Sequence, residues 1–464
     1  GPANLPRLSE IGLDSHALAF SAIVSLASGL LFGLIPALRY AGPGVSLTLR
    51  DSARTMSHGR DRHRVRNTLV IVQVSLALVL LICSGLMIRT FQAMHGVRLG
   101  FGRPDTVQTF RVVVPQALVP EEEEAMRMEQ AIADRVAAIP GVTSVAFASA
   151  LPMDGAPPNW DGILKEGQSY AAGSRPPMRL YLNVSPGLFG ALGTKIEAGR
   201  DLTWTDIYGD RKLVMVSDSL ARELWGSARA AVGKLVRAND ADVWREVVGV
   251  VEDVRYFGPQ APAPAVVYWP AFGQLHYAPV RVAARAVAFT VRTNRAGTGA
   301  LLNEIRQAVW AVDSALAVAN PQTLNETVDR SMARTSFTLV MLGIAGAMAL
   351  LLGLIGVYGA IAYAVVQRTR EIGIRIALGA RPADVRRMFV RYGLGLCAMG
   401  IAIGAAAAAA LTPVMKSLLF GVAPMDPITF AAVPAALLLA TLAASSLPAR
   451  RVTAVDPVRC MRAE

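Results

Sequence analysis

Five apolar stretches, each long enough to cross a lipid bilayer, constrain what this 464-residue chain can fold into. A transmembrane helix needs about 20 consecutive, mostly apolar residues. The stretches that meet this requirement are residues 17–38, 68–88, 337–366, 393–414 and 428–447. A hydrophobic content of 53% and a mean hydropathy of +0.41 agree with a partly membrane-embedded protein. The sequence therefore predicts an α-helical transmembrane bundle of five spans.

The distribution of charge predicts how these spans are oriented. The net charge is +12, yet residues 90–336 carry 25 basic and 25 acidic side chains. The basic excess lies in residues 41–67, 367–392 and 448–464, which hold six, seven and four Lys or Arg against two acids each. One topology places all three on one side, which the positive-inside rule makes cytoplasmic. The excess is thus explained by topology, and we expect no nucleic-acid partner.

The long segment between the second and third spans predicts a large mixed α/β domain outside the cytoplasm, at residues 91–335. We place its second lobe at about residues 175–285. Residues 121–124 are four glutamates that follow Pro120 and suit the first turn of a helix, where they are expected to be solvated rather than to bind a metal. A helix at residues 324–334 is expected to continue into the third span. Further strands are predicted at residues 106–114, 143–148, 179–184, 213–216, 246–251 and 287–292, and further helices at 218–225 and 301–312.

A weak internal repeat divides the chain. Asp14 precedes Pro36 by 22 residues, and Asp426 precedes Pro448 by the same interval. We therefore expect residues 1–64 to be the last transmembrane helix of a preceding repeat plus a basic cytoplasmic linker, so that the chain is a fragment or is truncated. A second unit then follows, with one span at residues 65–90, the large domain, and three spans in residues 336–464. The matched positions are few, so coincidence is the alternative.

The motifs of several catalytic classes are absent. No Gly-x-x-x-x-Gly-Lys-Ser/Thr loop occurs, since residues 231–235 (AVGKL) lack both the leading glycine and the hydroxyl. We therefore expect a non-enzymatic subunit that needs no cofactor and no metal. The spans also contain no acidic residue and no lysine, which argues against an ion-driven transporter.

Glycines recur at helical spacing within the spans. Gly353, Gly356 and Gly359 are three residues apart, and Gly400 and Gly404 are four apart. Small residues at such spacings let transmembrane helices approach closely. A cofactor loop is the alternative for the first group, but its position in mid-span favours helix packing.

The basic segment at residues 367–392 predicts a short helix, a corner and the start of the next span. Glu371 and Arg375 stand four residues apart in the favourable order, with isoleucines between them. Gly379 is suited to end this helix and Pro382 to begin the next. Topology, or contact with anionic lipid, explains the arginines at least as well as a docking function does. The isoleucines are predicted to be exposed, as a docking site for a partner's groove.

This segment, "RTREIGIRIALGARPADVRRMFVRYG", resembles the cytoplasmic segment of MacB/FtsX-type permeases, which are membrane subunits of a class of ABC transporters. "VVGVVEDVRYFG" resembles the outer domain of that family, and "PARRVTAVDPVRCMRAE" resembles its C-terminal signature. "LFGLIPALRYAGPGVSLTLRDSAR" resembles the joint between the halves of duplicated MacB-like permeases. The similarity covers residues 65–464.

The resemblance implies a permease subunit that couples ATP hydrolysis by a separate ABC ATPase to movements of the extracytoplasmic domain, for export or efflux. It implies a multi-pass protein of the inner (cytoplasmic) membrane, in contact with the lipid bilayer and with a possible second permease half. The positions it assigns to ATPase coupling are Glu371, Ile372, Ile374, Arg375, Leu378, Gly379 and Ala380. Two alternatives stay open: a mechanical signal transducer that regulates a cell-wall hydrolase or sensor partner, and a membrane-anchored sensor without an ATPase.

Overall fold

The computed structural model describes residues 19–20, 22–23, 56–168, 176–367, 372, 375 and 381–451. The chain divides into two compact units. One consists of Met94–Arg334, here called the α/β unit, and the other of Gly1–Ala93 with Thr335–Glu464, here called the helical unit. Each unit has its own hydrophobic core.

The helices and strands are as follows. The helices are α1 (Met56–His95), α2 (Glu122–Ala137), α3 (Leu188–Leu192), α4 (Trp204–Tyr208), α5 (Asp218–Trp225), α6 (Ala228–Ala231), α7 (Gly299–Trp310), α8 (Leu324–Gln367), α9 (Pro382–Leu411) and α10 (Pro427–Arg451). The strands are β1 (Val107–Val113), β2 (Val142–Ala148), β3 (Asn159–Gly162), β4 (Leu164–Lys165), β5 (Met178–Val184), β6 (Ile196–Gly199), β7 (Leu213–Ser217), β8 (Leu235–Arg237), β9 (Arg245–Val251), β10 (Val266–Pro270), β11 (Phe272–Gln274), β12 (Arg281–Ala283), β13 (Ala286–Thr293) and β14 (Ala319–Thr323).

Four helices of the described chain are long and apolar enough to cross a membrane. The candidate spans are Arg64–His95, Thr335–Gln367, Ala383–Leu411 and Pro427–Ser445. The prediction of a helical membrane bundle with a mixed α/β domain is confirmed, with four of the five predicted spans in the described part. The fifth, at residues 17–38, lies outside the described residues except for four positions.

A stripe of apolar residues along α1 forms the centre of the helical unit. Its members stand four residues apart and are at most 1% exposed: Val70, Val74, Leu78, Ile82 and Leu86. Residues at this spacing lie on one face of a helix. They form one cluster with buried side chains of α8, α9 and α10. The helices are thus joined through α1, which is the most deeply buried of the four spans.

One sheet of twelve strands runs through the α/β unit. The order is β14-β1-β13-β2-β5-β10-β7-β9-β8-β4, with β3 on β5 and β6 on β9. The first four strands pair antiparallel, and α2 and α7 pack with them. The second part includes two parallel pairs, β5 with β10 and β7 with β9, as expected where helices connect strands.

The two parts of the sheet meet at a narrow seam. Between β2 and β5 only one pair of residues, Ala148 and Val184, is in register. Ser185 extends the seam, because its hydroxyl accepts a hydrogen bond from the amide of Phe147 at 2.8 Å. The α/β unit therefore has two lobes on one continuous sheet.

The second set of strands begins earlier in the chain than the predicted boundary at residue 175. Asn159 of β3 pairs with Tyr181 of β5, and β4 pairs with β8. The sequence NWDG of β3 has neither alternation nor a β-branched residue, so no local pattern indicated a strand there. β3 is a strand because β5 offers it backbone hydrogen bonds, which its own sequence does not reveal.

The predicted elements are present, with ends that differ by one or two residues in most cases. α8 runs without interruption from Leu324 to Gln367, so the predicted helix does continue into the span. Glu122 is not simply solvated, because its carboxylate accepts hydrogen bonds from Arg285 and from the amide of Ala283. Burial acts to raise the pKa of Glu122, but these hydrogen bonds outweigh it and lower the pKa below its ordinary value. Hydrogen bonds and an ion pair therefore connect the first turn of α2 to the last residue of β12 and to Arg285, which follows it.

Candidate functional site

The predicted coupling segment lies between α8 and α9. α8 ends at Gln367, and α9 begins at Pro382, whose missing amide hydrogen costs nothing in a first helical turn. Arg381 precedes it in an extended conformation, with φ −69° and ψ 137°. The start of α9 agrees with the position that the sequence predicted for Pro382.

Ile372 is buried, in contrast to the exposed isoleucines that the sequence predicted. Its side chain is 4% exposed and belongs to the core cluster of the helical unit. Val385 and Phe389 of α9 belong to the same cluster. An amphipathic pattern identifies an apolar face but does not tell whether this protein or a partner covers it. Here the helical unit itself covers Ile372.

Arg375 is exposed, and one of its terminal nitrogens lies 3.5 Å from the sulfur of Met388 on α9. Between α8 and α9 the described residues are thus Ile372, which shares a core cluster with residues of α9, and Arg375, which lies beside Met388 of α9, together with Arg381. The other predicted coupling positions lie outside the described residues: Glu371, Ile374, Leu378, Gly379 and Ala380.

Polar contacts join the helices at the end of the bundle where Ile372 is buried. Arg66 donates a hydrogen bond of 2.7 Å to the carbonyl of Ala360, and its guanidinium lies 4.1 Å from the ring centroid of Tyr363. Tyr392 donates a 2.6 Å hydrogen bond to the side-chain oxygen of Asn67. These bonds connect α1 with both α8 and α9. Sequence analysis missed them, because it treated the basic residues only as topology signals.

The three glycines predicted to pack helices differ in their surroundings. A Cβ atom placed on Gly353 would lie 3.9 Å from Val74 of α1. One placed on Gly356 would clash with the side-chain oxygen of Gln73. At Gly359, a Cβ atom would have no neighbour within 4 Å. Gly353 and Gly356 therefore face α1, while Gly359 faces open space.

Gly400 and Gly404 of α9 lie closer to α1 than Gly353 of α8 does. A Cβ atom on Gly404 would lie 2.8 Å from the carbonyl oxygen of Ser75, and one on Gly400 would lie 2.6 Å from Val74. The hydroxyl of Ser75 also donates a 2.9 Å hydrogen bond to the carbonyl of Gly400. α1 and α9 therefore touch backbone to backbone, which only glycine permits here.

A buried polar cluster lies around Asp242 in the α/β unit. The carboxylate of Asp242 accepts hydrogen bonds from Arg245 at 2.6 Å and from the amide of Ala238 at 3.0 Å, and His276 Nδ1 lies 3.0 Å away. Burial would raise the pKa of Asp242, but the bonds from His276 and Arg245 hold it at about 2. The cavity beside Arg245 has a volume of only about 70 Å³. The cluster is therefore satisfied within itself and stabilises the second lobe.

The described part of the chain lacks a cluster of possible metal ligands. Within those residues, no group of three or more His, Cys, Asp or Glu side chains is arranged to hold an ion. Cys83 and Cys397 are both buried as free thiols in the helical unit.

The sequence matches two known families. Residues 69–309 match the MacB-like periplasmic core domain, and residues 343–457 match the FtsX-like permease C-terminal domain. The first match alone covers more than half of the chain.

Several characterised relatives share this similarity. Over 300 residues the chain is 27% identical to the macrolide export ATP-binding/permease protein MacB of Chromobacterium violaceum, covering 61% of this chain and 43% of that protein. Over 149 residues it is 36% identical to the Rhodospirillum rubrum protein of the same name, covering 32% and 22%. It is also 36% identical over 149 residues to the pyoverdine export ATP-binding/permease protein PvdT of Pseudomonas savastanoi pv. phaseolicola, covering 31% and 22%. The matched part thus spans less than half the length of these relatives.

Among solved structures, the periplasmic region of MacB from Actinobacillus actinomycetemcomitans is similar to this chain. The alignment has a TM-score of 0.29 at 14% sequence identity and covers 48% of this chain and 90% of that one.

Proposed function

Since this chain belongs to the family of permeases with a MacB-like periplasmic core and an FtsX-like C-terminal domain, we propose that it is the permease subunit of a MacB-like ABC transporter. In this proposal a separate ATPase binds the segment at residues 367–392 from the cytoplasm. ATP hydrolysis by that partner drives movements of the α/β unit, which lies on the other side of the inner membrane. The result is export or efflux.

The burial of Ile372 is the observation that supports this proposal most directly. A basic segment that only marked topology would need no contact with the bundle core, whereas Ile372 lies in the cluster that contains Val385 and Phe389. A force applied at Ile372 would therefore reach α9, and through the shared cluster α1 and α8. Packed cores resist compression and transmit displacement.

We assign different roles to the coupling positions. Arg375 is exposed and would contribute positive charge to the surface that faces the ATPase. Ile372 is buried and would act as a positioning residue that holds the segment on the bundle. For Glu371, Ile374, Leu378, Gly379 and Ala380 the assignment rests on the family resemblance.

The test is co-purification with the candidate ABC ATPase, followed by measurement of stimulated ATP hydrolysis in lipid nanodiscs. Arg375→Glu and Ile374→Asp are expected to weaken the complex at least tenfold, because each places an unfavourable charge in the contact. Ile372→Ala should leave affinity within about threefold but reduce the stimulation of ATPase activity, since it loosens the connection to the bundle.

Matched controls lie in the α/β unit, where Arg98 and Val113 are both exposed. Arg98→Glu and Val113→Asp introduce the same charges and should change neither the complex nor the stimulation. If Arg375→Glu and Ile374→Asp also leave both intact, the coupling assignment is wrong. An export assay then separates a transporter from a transducer that only relays a signal.

A further inference from the structure

The α/β unit contains a cavity of about 330 Å³ that the proposed function does not use. The loop that follows β2 forms one wall, Leu180 and Leu182 of β5 form the floor, and Tyr256 and Phe257 close the side. Ser331 of α8 lies at its edge. The volume is within the range of ligand pockets in proteins, and the wall is mostly apolar.

Specific hydrogen bonds fix the conformation of the loop after β2. The carboxylate of Asp154 accepts hydrogen bonds from the amides of Leu151 and Ala156, each at 2.8 Å. Met153 has a φ of 60°, a left-handed conformation that is unfavourable for a residue with a side chain. Its amide donates a 3.0 Å hydrogen bond to the carbonyl of Tyr256. The loop is therefore held by hydrogen bonds within itself and to Tyr256, with Met153 in a strained backbone conformation.

No uncompensated charge faces the cavity among its lining residues. Asp154 also accepts a 2.6 Å hydrogen bond from Arg111, so that its charge is paired. Burial raises the pKa of the Tyr256 phenol, which is therefore neutral. A charged group that entered would lose its hydration without gaining a counter-charge.

Phe257 lines the cavity, and its ring stacks on that of Trp160, which is not itself a lining residue. Phe257 and Trp160 are 42% and 43% exposed, and their rings stack with centroids 5.9 Å apart and planes 14° from parallel. Exposed stacked rings offer an apolar face to a third ring, since offset stacking is favourable between aromatic groups. We propose that this cavity binds a neutral ligand that carries an apolar ring system, with the ring lying against Phe257 and the Leu180–Leu182 floor.

The proposal concerns ligand binding alone and holds whether or not the chain couples to an ATPase. Its test uses the full chain in lipid nanodiscs and benzophenone, a neutral diaryl ketone that inserts into nearby C–H bonds on irradiation. Mass spectrometry of the digested protein then locates the label. We expect saturable labelling of the peptide that contains Met153, and only non-saturable labelling of the membrane helices.

Two variants and their controls test the assignment to the cavity. Ala150→Trp fills the cavity and should reduce the saturable labelling at least tenfold, whereas Ala138→Trp, at an exposed position on another surface, should not change it. Phe257→Ala should raise the half-saturating concentration about five- to tenfold by removing one ring contact. Trp310→Ala removes an exposed ring elsewhere and should have no such effect. Because Phe257 is exposed, this variant decides the question if Ala150→Trp does not fold.

Charged analogues test the predicted ligand class. 4-Benzoylbenzoate and (4-benzoylbenzyl)trimethylammonium carry the same rings with a negative or a positive charge, and neither should compete with benzophenone. Equal competition by either ion would overturn the predicted class of ligand. The proposed binding site would be wrong if labelling near Met153 did not saturate. It would also be wrong if that labelling persisted unchanged in both Ala150→Trp and Phe257→Ala.

Discussion

At the scale of single residues, Glu129 is the carboxyl whose environment is least suited to a charge. It lies on α2, is fully buried, and neither of its oxygens has a hydrogen-bond partner among the described residues. Burial raises its pKa well above the ordinary value, although Arg285 acts in the opposite direction. A buried polar group without a partner costs about 1–3 kcal/mol. The first lobe therefore carries a cost that depends on pH.

The sign of this dependence follows from the direction of the shift. Because the pKa of Glu129 is higher in the folded chain, folding takes up a proton at pH values between the unfolded and the folded pKa. The stability of the α/β unit should therefore fall as pH rises from about 4.3, the ordinary pKa of glutamate, to the folded value. Glu129→Met should remove this pH-dependent contribution, so that the variant gains more stability at pH 8 than at pH 4.5; the part of the gain that comes from the unpartnered polar atoms, about 1–3 kcal/mol, should be present at both pH values.

Intrinsic tryptophan fluorescence measures this effect in the full chain, since all six tryptophans lie between residues 160 and 310. Thermal unfolding is compared at pH 4.5 and pH 8. Glu124 lies on the same helix but is exposed, so Glu124→Gln serves as the control and should not alter the difference between the two pH values. An unchanged pH dependence in Glu129→Met would show that another group is responsible.

At the scale of elements, the contact between α1 and α9 depends on glycine. Gly404 lies against the backbone of Ser75, while Gly359 on α8 faces open space. Gly404→Ala should destabilise the helical unit by about 1–3 kcal/mol, because the added methyl group forces the helices apart. Gly359→Ala gains the same helix propensity without this clash and is the matched control.

The two buried cysteines of the helical unit allow the unfolding of this unit to be measured separately from that of the α/β unit. With Cys460 replaced by Ser, a thiol-reactive fluorescent dye reacts as Cys83 and Cys397 become exposed on heating. Gly404→Ala should lower the midpoint by about 3–8 °C, and Gly359→Ala should leave it unchanged or slightly raised. Equal midpoints for the two variants would show that the close approach does not contribute to stability.

At the scale of the whole molecule, the two units have separate hydrophobic cores. The α/β unit contains two lobes on one sheet, and the helical unit is built around the apolar stripe of α1. Cooperative unfolding reflects shared packing, so chains with several units commonly unfold in more than one step.

We therefore expect two distinct thermal transitions, one followed by tryptophan fluorescence and the other by thiol reactivity. Glu129→Met should shift only the tryptophan midpoint at pH 8, and Gly404→Ala only the thiol midpoint. A shift of both midpoints by either variant would show that the units unfold together.

The local sequence was sufficient to predict the elements with strong periodicity. Four apolar stretches became membrane-grade helices, and α5 has the predicted bounds Asp218–Trp225. These elements follow from apolar length and from the 3.6-residue period, both of which are properties of neighbouring residues. The sequence did not predict β3, because its own residues favour no strand. Its extended conformation comes from hydrogen bonding to β5, which lies about 20 residues later in the chain.

The same distinction holds for the candidate site. The sequence by itself determined where α9 begins, since Pro382 restricts the chain at that residue, and it determined which residues carry charge. Only the tertiary structure decided that Ile372 is covered and that Gly404 rather than Gly359 approaches another helix. It also decided that the Glu129 carboxyl has no hydrogen-bond partner among the described residues. Burial and close approach depend on segments far apart in the chain, and no local pattern specifies which of them will meet.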